Sequence, residues 1–92
     1  MNILALASPS LDAYAAHDAM LDALSSLKAA YLRRLLYTHD EQLCAQYEVR
    51  ISQLEQMHRN VDLANVEEML GVARDAVQEL ASIGGLGGGE AR

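Results

Sequence analysis

Glu55 and His58 stand three residues apart, a spacing that projects a carboxylate and an imidazole from one face of a helix, as in carboxylate-bridged di-metal bundles. One copy cannot complete such a site. Two copies in a homodimer would supply two Glu-x-x-His pairs, yet they would still need an inward glutamate from another helix, with Glu48, Glu68 and Glu79 as the candidates. A single histidine on a helical seam is more often a packing residue, so no metal and no cofactor are expected, and the di-metal homodimer stands as an alternative. His17 and His39 read as surface or helix-end residues. Cys44, the one cysteine, falls on an apolar helical stripe with Tyr47 and Ile51, where an inert buried thiol is the common case. The serines sit at helix caps and in helix interiors, away from any base that could activate them. No residue is assigned a catalytic role, and the chain reads as a non-enzyme.

The balance of charge narrows the partners. Seven Lys and Arg face thirteen Asp and Glu, a formal charge of −6, whereas a phosphate-binding surface needs clustered cations. Nucleic acid is therefore not an expected partner. Only Arg33-Arg34 is concentrated, and cations there oppose the negative end of the helix that precedes them. The polar faces are acidic or mixed rather than basic, and no stretch approaches the roughly 20 apolar residues that span a bilayer, which argues against a membrane role. Met1 to Ser8 has no Lys or Arg before a short apolar run, so it reads as mature chain rather than a signal peptide. A lone cysteine needs no oxidising compartment, and a cytoplasmic location is expected.

These residues sit in an almost unbroken run of helix formers, which predicts an all-α domain over residues 1–83: an antiparallel three-helix bundle with coiled-coil-like packing, its helices over about 10–37, 39–60 and 63–82. Ser8-Pro9-Ser10 offers the first N-cap. Thr38-His39-Asp40-Glu41 reads as a capping box, with Thr38 as N-cap, that folds the chain back into the second helix. Asn60 and Asp62 supply the next turn and cap. Cys44, Tyr47, Ile51, Leu54, His58 and Val61 follow three- and four-residue steps, the spacing of a packing seam, and Val66, Met69, Leu70, Ala73, Val77 and Leu80 form a stripe on the third helix. The core positions expected from these patterns are Cys44, Tyr47, Ile51, Leu54, Val66, Leu70 and Val77. Residues 84–92 hold five of the six glycines, too flexible to pack, and they lack the lysine and hydroxyl of a phosphate loop.

Ala23 to Arg33, followed after a polar break by Gln46-Tyr47-Glu48 at the head of a second amphipathic helix, resembles the small helical-hairpin co-chaperones of type III secretion needle subunits. The resemblance spans residues 20–60. It implies a hairpin of long antiparallel helices that pairs with a tetratricopeptide-like chaperone and holds the needle subunit unpolymerised in the cytoplasm. It implies packing roles for Leu24, Leu27, Tyr31, Tyr47, Ile51 and Leu54 and no catalytic residue. The inter-helix segment is longer here, and the third helix has no counterpart in the short family members.

On the residues alone, 51% hydrophobic content without Phe or Trp favours helices that approach closely over a core enclosing a pocket. A 92-residue chain is also marginal as a monomer, which a protein partner or homodimer would relieve through helix-to-helix packing. The surplus apolar residues lie on the first helix, at Leu24, Leu27, Tyr31, Leu32, Leu35 and Leu36, and these are the expected partner-binding positions. The pattern predicts a non-catalytic interaction module, a small intracellular chaperone or adaptor. An acidic inhibitor or immunity-type protein fits the same charge and composition.

Overall fold

The computed structural model describes residues 3–83, and side chains over 12–83. Every regular element among them is an α-helix: α1 over Ile3–Tyr37, α2 over Glu41–Asn60 and α3 over Val66–Ser82. The expected all-α three-helix architecture is the one observed. Lys28 pairs with Glu55 and Tyr31 stacks near Tyr47, so α2 runs back along α1, while Tyr31 and Arg34 meet Glu79 and Ile83, so α3 runs parallel to α1. The order is up, down, up. α1 is the shared spine: it packs more extensively against α3 than against α2, and α2 and α3 barely approach each other.

α1 starts earlier than its expected cap. Its helix begins at Ile3, runs through Pro9 and continues unbroken past Ser25 and Ser26, which are both exposed. A proline within a helix deletes one backbone donor, here set among Ala and Leu residues of high helix propensity. Because His17 lies beside His58 near the end of α2, the first turns of α1 project beyond the other helices. The molecule is accordingly elongated, with extents of 60 × 27 × 16 Å.

The second helix also has a different cap from the expected one. Asp40, in extended backbone geometry, is the N-cap, and its Oδ1 accepts from the N–H groups of Gln42 at 2.8 Å and Leu43 at 3.3 Å. Thr38 instead closes α1, its Oγ1 donating to the Arg34 carbonyl at 2.6 Å. A carboxylate holds two amides and also complements the positive end of the helix dipole, so it outcompetes a neutral hydroxyl two residues earlier. Replacing Asp40 with alanine should lower stability by about 0.5–2 kcal/mol, whereas Thr38→Ala should change it by less than about 0.5 kcal/mol, as read from urea midpoints.

Between α2 and α3, Asp62 accepts from the Ala64 N–H at 2.9 Å, and Asn65 is the N-cap of α3, accepting from Glu68 at 2.9 Å. The third helix thus begins at Val66 rather than 63, with Glu67 and Glu68 in its first turn. Residues 84–92, read from the sequence as a tail, lie outside the described residues.

The core runs along α1. Ala16, Met20, Ala23, Leu27 and Ala30 are buried at alternating four- and three-residue steps, and α3 answers with Met69, Ala73 and Ala76 in the same rhythm. Small residues on both helices bring the backbones close, while Met20, Leu27 and Met69 fill the space between. Leu24, Leu54 and Val61 close the α1–α2 side. Of the expected core positions, Leu54 is fully buried, and Tyr47, Ile51 and Val66 are half-buried against the cluster. Cys44 is half-buried, its Sγ donating to the Thr38 carbonyl. Leu70 and Val77 are not core residues: they are 44% and 57% exposed. Close helix approach selects the small Ala73 and Ala76 for the seam and leaves the bulkier neighbours on its shoulder.

Candidate functional site

The strongest polar arrangement among the described residues joins all three helices. Tyr31 of α1 donates its hydroxyl to Glu79 Oε2 of α3 at 2.5 Å, and Arg50 of α2 grips the same carboxylate with two donors, Nε to Oε2 at 2.9 Å and Nη2 to Oε1 at 2.5 Å. A third guanidinium nitrogen of Arg50 is anchored on Gln53 Oε1 at 2.9 Å. The two-donor fork is the strong form of an arginine–carboxylate pair. It bridges α2 and α3 where their backbones hardly touch.

The electrostatics follow from that geometry. The Arg50 hydrogen bonds hold the Glu79 carboxyl below the usual carboxylate range. Hydrogen bonding to Glu79 raises the affinity of Arg50 for its proton in turn. Burial first, and then the adjacent Glu79 carboxylate, push the Tyr31 hydroxyl up to about 12. Every member is therefore fixed in one protonation state at neutral pH. With a charged acid, a charged base and a neutral phenol all bonded to one another, the cluster clamps helices and leaves no free proton acceptor. Arg34 extends the same end of the bundle by donating to the Ile83 carbonyl, so a cation of α1 caps the C-terminus of α3.

Arg50 carries no role in the reading of the sequence, and Glu79 enters it only as a possible metal ligand. The usable signal is Tyr31. A tyrosine in a core stripe must find a partner for its hydroxyl, and a long charged side chain at the shoulder of a neighbouring seam is the natural supplier.

The Glu55–His58 pair does not converge on a metal-binding group. His58 is exposed, with its ring 5.9 Å from that of His17, and Glu55 faces Lys28 at 3.5 Å. Glu48 and Glu68 are exposed, and Glu79 is held by Arg50. Among the described residues no three His, Cys, Asp or Glu side chains come close enough to hold a metal ion.

The expected partner-binding residues divide between surface and core. Leu24, Leu27 and Tyr31 are 5%, 0% and 8% exposed and belong to the core, because α1 is covered on two flanks rather than on the one seam assumed from its pattern. Leu35 is half-buried. Leu32 and Leu36 do face solvent, at 45% and 77%, and Tyr37 beside them is 80% exposed. No described helix is long and apolar enough to cross a membrane. No family model, no curated protein and no solved structure matches the chain.

Proposed function

We propose that the protein is a non-catalytic interaction module that receives an apolar helix of a client protein on the last two turns of α1. The observation that carries this reading is the solvent exposure of Leu32, Leu36 and Tyr37, clustered on the last two turns of α1, while Met20, Leu24, Leu27 and Tyr31 on the same helix are buried. Such residues cost solubility when left bare, and a partner helix that covers them gains about 25 cal/mol for each Å² of apolar surface removed from water. The triad of Tyr31, Arg50 and Glu79 stands directly behind this end of α1 and fixes it as a firm platform.

The narrower form of the proposal follows the resemblance to the secretion co-chaperones. It makes the client a needle subunit held unpolymerised in the cytoplasm, with a tetratricopeptide-like chaperone as the second partner. The test is co-purification from the native cell with the full chain as bait. The wild type should retain one small helical client, and Leu36→Asp should lose it while its far-ultraviolet circular dichroism stays unchanged. If the variant unfolds, or keeps the client, the end of α1 is not the docking surface.

A further inference from the structure

On the side of α1 away from α2, a shallow groove runs between α1 and α3. Its α1 wall consists of small residues such as Ala19 and Ser26, and its α3 wall is apolar, formed by Val77 with Leu80 below it. Leu70, one heptad before Val77, is exposed on the same helix. The rims differ in charge: Asp22 stands on the α1 side and Arg74 on the α3 side. Two ion pairs occur among the described residues, Lys28–Glu55 and Arg50–Glu79, and neither involves these rim residues.

We propose that a second copy of this chain occupies the groove, forming a homodimer about a two-fold axis parallel to the helices. α1 and α3 run parallel and side by side, so such an axis keeps each residue at its own height while it exchanges the two rims. Asp22 of one copy then faces Arg74 of the other, and the reciprocal pair forms at the same level. Val77 is covered by the small residues of the opposing α1. The alternative two-fold, perpendicular to the helices, would lay α1 on α1 and set Asp18 and Asp22 against their own copies. Opposite charges on the two rims thus choose both the occupant and its orientation. The surface is separate from the one assigned to the client, since Leu36 lies ten residues beyond Ser26 on α1, about 15 Å along the axis at 1.5 Å per residue.

The test is the mass of the full chain in solution by light scattering across a dilution series. The wild type should show twice the 10.0 kDa of one chain, falling toward the single-chain value on dilution. Asp22→Arg and Arg74→Asp should each give the single-chain mass, and the double variant Asp22→Arg/Arg74→Asp should recover the dimer. Val77→Asp should also be monomeric, with helicity unchanged because Val77 is already exposed. A wild type that is monomeric at every concentration overturns the proposal, including the case in which the groove binds only a foreign helix. So does a dimer that survives Val77→Asp, or a charge swap that fails to restore association. None of these outcomes bears on the client surface, which is read from the Leu36 variant.

Discussion

Leu27→Ala and Leu54→Ala are each expected to destabilise the fold by about 2–5 kcal/mol, the range for deleting a fully buried leucine side chain. Leu27 is 0% and Leu54 1% exposed, and they anchor different interfaces. Leu27 sits in the seam with α3 and is flanked by Ala23 and Ala30, neither of which can swell to refill a cavity. Leu54 is the one fully buried residue of α2. Against a total of about 5–15 kcal/mol for a small domain, either change removes a large share of the stability. Ile51, half-buried on the same stripe, should cost visibly less than Leu54 when truncated. Urea unfolding followed by circular dichroism decides the order; an Ile51 effect equal to that of Leu54 would mean that α2 is packed more deeply than its exposure indicates.

Alkaline pH should loosen the bundle through Tyr31. In the folded chain its hydroxyl is pushed up to about 12 from an ordinary value of 10.0, first by burial and then by the hydrogen bond to Glu79. Below pH 10 both the folded and the unfolded chain keep the proton, so this contribution to stability is complete. Between 10 and 12 the unfolded chain releases the proton while the folded chain holds it, and stability falls as pH rises. At 1.36 kcal/mol per pH unit the loss amounts to about 2–3 kcal/mol by the top of that window. Unfolding free energies of the wild type and Tyr31→Phe, measured from about pH 9 to about pH 12, isolate the effect from other titrating groups. The phenylalanine variant should have lost the Tyr31 portion of the slope, and parallel curves would show that the hydroxyl is not coupled to folding. Glu79 acts at the opposite extreme: its lowered carboxyl supports the fold above the ordinary carboxylate range, and that support disappears as acid protonates it.

Helical periodicity and the polar breaks between its stripes carry the number and order of the helices, because each depends on neighbours a few residues away, whereas the caps themselves fall at other residues than expected, Asp40 for α2 and Asn65 for α3. Leu54 of α2 and Val61 just after it are legible for the same reason. The faces of α1 and α3 are not, since periodicity marks a stripe without saying how many neighbours cover it. Leu24, Leu27 and Tyr31 are surplus to a single seam, yet α1 is a spine flanked on two sides, and that places them inside. On α3 the larger Leu70 and Val77 are the expected seam, whereas the approach of two alanine-lined helices favours Ala73 and Ala76. The Tyr31–Glu79–Arg50 triad depends on meetings between residues 29 and 48 positions apart, which no local pattern encodes.

The broader interface of the spine joins distant parts of the chain. Tyr31 and Glu79 are 48 residues apart in sequence, while the α1–α2 turn brings its partners together across three residues, Thr38 to Asp40. Loop-closure entropy rises with the logarithm of the separation, about 0.6 kcal/mol for each doubling, so the short hairpin can close first at little cost. Once α2 lies along α1, its end is already beside the lower part of the spine, and only the short segment from Val61 to Asn65 still has to close. The thinner interface thereby serves as the kinetic bridge to the thicker one: α2 delivers α3 to its seat, and slowing the hairpin would delay a contact in which α2 itself has little share.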